Sequence, residues 1–212
     1  MKIAVSGTHC IGKSTFITDF LTNWTNYKTP VETYRNLIKE KKYPHSKEGN
    51  EESQGEILNF LIEEAKQYTR KDNVIFDRCV LDNLAYSSWL YLNGKVSEKF
   101  LDQTRLAVRR EIQDFDIIFF LPITKFSEVE FKTDEMRDSD PVYREEIDNI
   151  FKTFVKSYQQ QDGRVFPVDD SPPIIEIFGN RIERIKLTEL YVAKDGNPYS
   201  ENDSLINDIV AK

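Results

Sequence analysis

The chain has 212 residues but only two each of cysteine, histidine, methionine and tryptophan. With Cys10 and Cys79 alone there is no disulfide framework and no cysteine-rich metal centre. Both read as reduced thiols, as in a cytosol. His9 and His45 give no acid–base pair in sequence. No apolar run approaches the ~20 residues that a membrane-spanning helix needs, and the N-terminus enters a strand with no signal-peptide pattern. Positive charge is in deficit: 29 Lys and Arg face 36 Asp and Glu, for a net charge of −7. That argues against loose, charge-driven binding to DNA, RNA or an anionic membrane, but leaves room for a local basic cleft. No internal repeat or low-complexity stretch is present. What remains, 39% hydrophobic and 31% charged residues, suits a folded α/β domain with a packed core.

Glycine is also scarce, with eight in all, yet two fall five residues apart in Gly7-Thr8-His9-Cys10-Ile11-Gly12-Lys13-Ser14. This fits the phosphate-binding pattern G-x-x-x-x-G-K-[ST], directly after the apolar run Ile3-Ala4-Val5. Wrapping a chain around a triphosphate requires backbone N–H groups that point inward, a path open to residues without a Cβ penalty. Lys13 can reach the β- and γ-phosphates and the Ser14 hydroxyl can ligate Mg²⁺. A helix opening at Lys13 adds its positive end. Gly7, Thr8, His9, Cys10, Ile11, Gly12, Lys13, Ser14 and Thr15 are therefore the expected nucleotide-binding set.

The hydrophobic periodicity predicts strands at Lys2–Ser6, Thr29–Thr33, Asn73–Asp77, Asp116–Leu121 and Arg164–Val168. Helices are expected at about Lys13–Asn26, Tyr34–Lys41, Glu51–Arg70, Leu81–Leu92, Ser97–Gln113 and Pro141–Gln159, with a last one from Pro172-Pro173 to Ile185. Lys42–Glu52 reads as a turn-rich loop. The alternation of strands and helices predicts an α/β three-layer sandwich around a five-stranded parallel sheet. Ligands of such sheets bind beyond the carboxyl ends of the strands, which places Gly7–Ser14, Glu32–Arg35 and Asp77-Arg78 along one edge. Residues 1–186 form the expected domain; 187–212 form a small appendage, with a turn at Asp195-Gly196-Asn197-Pro198 before a short helix.

At the expected edge, Asp77 can hold Mg²⁺ or accept a proton from an attacking hydroxyl, and the guanidinium of Arg78 can hold a phosphate. Glu32 is a second candidate base and Arg35 a candidate grip on the acceptor. Gln54, at the start of a long helix, can read a base edge. The mixed-charge stretch at 123–143 reads as a helical lid, with Arg137 and Arg144 seven residues apart and able to face one side. A lid of this kind excludes water and brings positive charge to a transferring phosphoryl group.

Gly7–Thr15, Glu32-Thr33-Tyr34-Arg35 and the run Asp77-Arg78-Cys79-Val80-Leu81-Asp82-Asn83-Leu84-Ala85-Tyr86-Ser87 resemble AAA-type P-loop kinases of the ribosylnicotinamide kinase group. They are similar, more loosely, to thymidylate and deoxynucleoside kinases and to kinase-like proteins of large bacteriophages. The resemblance covers about residues 1–185. It implies ATP with Mg²⁺, a nucleoside-like or nucleotide-like acceptor, Lys13 and Ser14 on phosphate and metal, Arg35 and Arg78 on the acceptor, and Arg137 acting from the lid. Either Glu32 or Asp77 would activate the acceptor hydroxyl; no other strand ends in a lone acid, so Asp77 would also serve the metal.

The expected activity is an ATP-dependent phosphotransferase acting on a nucleoside, a deoxynucleoside monophosphate or a modified pyrimidine, with 5-hydroxymethyluracil in DNA among the acceptors left open. The expected location is the cytoplasm, that of a host cell if the chain is viral. A rival reading is a nucleotide-dependent switch that acts on a protein partner. It lacks an Asn-Lys-x-Asp run for guanine.

Overall fold

The computed structural model describes residues 1–125 and 140–198. At its centre is β1 (Lys2–Ser6), every residue of which is buried. On one side it pairs in parallel with β2 (Val74–Asp77). On the other it pairs in parallel with β3 (Ile117–Phe120), which in turn holds β4 (Ile174–Glu176). The described sheet therefore has four strands in the order β2-β1-β3-β4. Buried strands of this kind read as near-continuous apolar runs, as Ile117-Ile118-Phe119-Phe120 does.

Alternation along the strands sends side chains to opposite faces and divides the core in two. Ile3, Val5, Ile75, Ile117 and Phe119 pack on one face with Phe16, Phe20 and Trp24 of and next to α1 (Lys13–Asn23). Ala4, Phe76, Ile118 and Phe120 meet the larger helical layer on the other. That layer comprises α2 (Tyr34–Lys41), α3 (Glu51–Lys66), α4 (Val80–Leu92), α5 (Glu98–Glu111) and α6 (Pro141–Gln159). Each large apolar side chain so buried contributes about 1.5–3 kcal/mol. The three layers match the predicted architecture. Among the described residues no helix is long and apolar enough to cross a membrane.

Three predicted elements differ. Thr29–Thr33 is not a strand; only Lys28 forms a bridge, parallel to Val74 at the outer edge of β2. Pro30 lacks an N–H for a ladder and Val31 is 94% exposed, so neither pairing nor burial rewards extension there. Arg164–Val168 is irregular, although Val165 and Phe166 are buried. The outer strand is β4 instead, in a segment predicted to be helical from Pro172-Pro173. Ile118 N–H donates to the Pro173 carbonyl at 3.0 Å, so the proline holds an extended edge and supplies only an acceptor.

The last helix, α7 (Arg181–Thr188), starts later than expected, at an Asn180–Glu183 capping box. Leu187 and Thr188 thus belong to α7, and the following residues fold back on α1. Trp24 Nε1 donates to Ala193 O at 2.8 Å, Tyr27 Oη donates to Gly196 O at 2.6 Å, and Val192 is buried. The predicted final short helix and the central part of the predicted lid, residues 126–139 with Arg137, lie outside the described residues.

Candidate functional site

The carboxyl ends of β1, β2 and β3 are fastened together. Arg78 N–H donates to Val5 O at 3.0 Å and Leu121 N–H to Ser6 O at 2.9 Å. The glycine loop leaves the sheet from this junction. Gly7 has φ +143°, and a Cβ there would lie 2.7 Å from Leu121 O. Gly12 has φ +88° and caps α1 with no side-chain hydrogen bond to its free N–H groups. An uncapped helix start inside a glycine loop is a ready anion site. Lys13 is buried, and its Nζ donates to Gly7 O at 2.8 Å and Thr8 O at 2.6 Å. Burial, with the positive Arg78 nearby, pulls its pKa down from 10.5 to about 7.

Beside Lys13, Ser14 Oγ donates to Asp77 Oδ2 at 3.0 Å, and Arg35 Nη1 lies 3.7 Å from the same oxygen. Asp77 Oδ1 is buried with no hydrogen-bond partner among the described residues. A hydroxyl and an orphaned carboxylate oxygen side by side fit a hard divalent cation such as Mg²⁺, which takes oxygen ligands and keeps most of its shell as water and phosphate. Among the described residues no group of three or more His, Cys, Asp or Glu forms a self-sufficient metal cage.

Asp82, one turn into α4, organises the junction from beneath. It accepts from Ser6 Oγ at 2.8 Å, Cys79 N at 3.1 Å, Gly7 N at 3.4 Å and Arg78 Nη1 at 3.4 Å. Desolvation raises its pKa against the pull of Arg78 and Lys13. Arg78 is itself buried, in the left-handed backbone region at φ +89°. Its guanidinium sits between the rings of Tyr34 and Tyr86, 5.2 and 4.9 Å from their centroids. Its Nη2 donates to Tyr86 Oη at 3.2 Å, and its Nε has no partner among the described residues. A strained backbone carrying a buried charge persists only where its surroundings over-determine it.

From Lys13, Ser14 and Thr15 a single cleft continues over Tyr34, Arg35, Arg78 and Tyr86 to an apolar floor of Ile38, Ile57 and Leu61. Gln54, Asn83, His45 and Ser46 also line it. Gln54 is buried at the start of α3, which the Asn50–Ser53 capping box fixes. The loop over it is held by Lys47, which ion-pairs with Asp140, the N-cap of α6.

The structure thus brings together most of the predicted site: Gly7 to Thr15, Arg35, Gln54, Asp77 and Arg78. Two predicted residues are placed differently. Glu32 is exposed and does not line the cleft. Arg144 meets the glycine loop through its backbone, Thr8 Oγ1 donating to Arg144 O at 3.0 Å. His9 lies against the rings of Tyr86 and Tyr143. Cys79 is buried, and desolvation pushes its thiol up to about 12, which suits packing rather than nucleophilic attack.

Sequence reasoning passed over four contributors. Asp82 carries a signal, since it stands three residues after the helix start at Cys79, where a capping acid belongs. Asn83 follows it into the cleft. Glu64 of α3 has its pKa raised to about 7 by desolvation and by the neighbouring charges of Asp77 and Glu32. Arg184 of α7, also buried, donates to Ile11 O and Gly179 O at 3.0 Å each and so ties the glycine loop to the turn after β4. The last two are long-range contacts with no local pattern.

A glycine loop joining the first strand to the first helix, at the carboxyl ends of a parallel sheet covered on both faces, defines the P-loop nucleotide-binding class of α/β proteins. Comparison with known proteins narrows the class. The chain belongs to the AAA domain family, which matches residues 2–165. No curated protein sequence matches it.

Among solved structures it is similar to a deoxyadenosine kinase from M. mycoides with bound dCMP and dCDP (TM-score 0.62, 21% identity, 90% of this chain and 97% of that one). It is similar to the thymidylate kinase of Candida albicans (TM-score 0.61, 17% identity, 89% of each chain). It is also similar to a NadR protein in complex with NR (TM-score 0.60, 15% identity, 90% of this chain). The chain spans about half, 51%, of that NadR chain. At these identities the likeness is one of fold.

Proposed function

We propose that this chain is an ATP-dependent phosphotransferase that moves the γ-phosphate to a small nucleoside or nucleotide acceptor. The observation that carries the reading is the continuity of the cleft. The same cleft is lined by Gly12, Lys13 and Ser14 of the glycine loop and by the apolar Ile38, Ile57 and Leu61 with the buried polar Gln54, Arg78 and Asn83. A switch protein needs only the first half. The solved kinases of like fold, named for deoxyadenosine and thymidylate substrates, support the reading.

In this reading the backbone from Gly7 to Gly12 and the start of α1, with Ser14 and Thr15, hold the phosphates, and Lys13 follows the β- and γ-phosphates. Ser14 and Asp77 would hold Mg²⁺, which supplies charge neutralisation on the β- and γ-oxygens when bound. With Asp77 committed to Ser14 and Arg35, Glu32 is left to take the proton of the acceptor hydroxyl, which requires its exposed segment to move toward the cleft. Arg78, held rigid by Tyr34, Tyr86 and Asp82, and Arg35 orient the acceptor. Gln54 reads its base. Arg137 belongs to a lid that shields the transferring group from water, and Arg144 borders the glycine loop from α6. The acceptors kept in view are deoxynucleoside monophosphates, nucleosides and modified pyrimidines, 5-hydroxymethyluracil in DNA among them.

The test is a mass-spectrometric screen with ATP and Mg²⁺ against nucleosides, monophosphates and modified DNA. The expected result is one phosphorylated product, lost by at least about a hundredfold in Lys13→Ala with the circular dichroism spectrum unchanged. Slow ATP hydrolysis with no phosphorylated acceptor would favour the protein-switch reading instead.

A further inference from the structure

Arg184 is a buried cation, 7% exposed, whose guanidinium reaches out of α7 to two loops at once. Nη1 donates to Ile11 O in the glycine loop and Nε to Gly179 O in the turn after β4, each at 3.0 Å. A Cβ on Gly12 would come within 3.1 Å of the same Nη1, so the guanidinium lies directly against the back of the loop. No acid among the described residues acts on it, and burial alone lowers its pKa. The helix that carries it is fastened in turn. Arg181 Nε and Nη2 donate to the two carboxylate oxygens of Asp19 in α1, at 2.9 and 2.5 Å. A buried charge without a counter-ion is unfavourable, and a ligand that brings the missing charge relieves the penalty.

The bond to Ile11 O decides where the next N–H points. In a planar trans peptide the carbonyl and the following N–H lie on opposite sides. With Ile11 O turned onto Arg184, the Gly12 N–H is turned away from it. That N–H has no acceptor among the described residues, and Gly12 lines the cleft. We infer that Arg184 is a positioning residue for the phosphate donor: from behind the glycine loop it holds the Ile11–Gly12 peptide with its N–H free for phosphate, and it supplies a fixed positive charge that the phosphates answer. This rests on the nucleotide-binding half of the phosphotransferase reading above and adds to it a residue far from the loop in sequence. A cation bonded to the carbonyl also polarises the peptide, so its N–H becomes a stronger donor. Donors set in advance need no reorganisation when the phosphates arrive. Without Arg184 the peptide is free to turn over, and it then presents an oxygen to the phosphates.

The experiment is calorimetric titration of the full chain with ATP and with ADP, in wild type, Arg184→Ala, Arg184→Met and Arg184→Lys, each checked for folding by circular dichroism. Arg184→Ala and Arg184→Met are expected to bind both nucleotides at least about tenfold more weakly, as for one lost charge-assisted hydrogen bond. Arg184→Lys keeps the charge without the planar fork and should fall between them and wild type. In turnover, KM for ATP should rise while KM for the acceptor stays within about twofold. Guanidinium chloride at a non-denaturing concentration should restore nucleotide binding to Arg184→Ala, whereas sodium chloride or urea should not. A strut that only stabilised the fold would lower Tm and leave these readings unmoved. If Arg184→Ala does not fold, the other two variants decide: Arg184→Lys at least about threefold tighter than Arg184→Met supports the inference, and equality overturns it. Folded Arg184→Ala or Arg184→Met that binds ATP within about twofold of wild type overturns the inference and leaves the kinase reading standing. So does weaker binding that lysine and methionine share equally and guanidinium fails to restore, since lost packing is then the cause. A wild type that binds neither nucleotide overturns both. A wild type that binds them and shows the Arg184 effect, yet phosphorylates no acceptor, overturns the kinase reading alone.

Discussion

At the scale of single residues, Lys13 is a pH-sensitive group in the cleft. Its amine is buried against the Gly7 and Thr8 carbonyls, and its pKa of about 7 lies below the ordinary 10.5. Between these values the unfolded chain binds more protons than the folded one, so this group makes stability rise with pH across that window. A triphosphate beside the amine reverses the balance and favours the charged form. Nucleotide binding at pH 8 is therefore expected to take up a proton, visible as binding enthalpies that vary with buffer ionisation enthalpy; identical enthalpies in phosphate and Tris would refute it. Glu64 behaves with opposite sign. Its pKa, raised from 4.5 to about 7, means that folding favours its neutral form, and stability from this group is lost as pH rises from about 4.5 through 7. Glu64→Gln should raise Tm by about 2–5 °C at pH 8 and leave it nearly unchanged at pH 5. Equal shifts at both pH values would show that burial and the nearby charge of Asp77 are not the cause.

At the scale of elements, the joint between β1, the glycine loop and β3 carries the most constraint. Leu121 approaches so closely that only a residue without a side chain fits at Gly7, and the backbone there is at φ +143°. Gly7→Ala combines a clash with backbone and a left-handed conformation, and should cost about 2–4 kcal/mol, read as a lowered midpoint in urea unfolding. A midpoint within error of wild type would show that the loop has slack. The two ends of the sheet differ in how readable they were. β1, β2 and β3 are apolar runs flanked by clear helix starts, so their positions followed from pattern. At the far edge, Val165 and Phe166 look like a strand and are buried, yet Ile174–Glu176 takes the place beside β3. Edge strands are short and pair on one side only, so local pattern weighs little against the geometry of the chain around α6. Pro172-Pro173 misled for the same reason: proline opens a helix or holds an extended edge equally well.

At the scale of the whole molecule, residues 190–198 are bound into the structure, although the sequence offers only the turn at Asp195-Gly196-Asn197-Pro198 there. Val192 is buried, and the carbonyls of Ala193 and Gly196 accept from Trp24 and Tyr27. A chain ending at Glu189 should lose several degrees of Tm and shift its tryptophan fluorescence to the red, since Trp24, now 3% exposed, would meet water. An unchanged spectrum would mean that residues 190–198 add nothing to the α1 face. The sequence by itself determined the phosphate loop, the alternation of strands and helices, and the candidates Lys13, Ser14, Asp77, Arg78 and Gln54, because each rests on a local spacing or on the end of an apolar run. Only the tertiary structure decided that Asp82 braces the loop, that Asn83 donates to Gln54, that Glu64 is pressed by Asp77, and that Arg184 reaches Ile11. Those facts depend on which distant segments burial forces together, and a buried polar group finds its partner across the fold rather than along the chain.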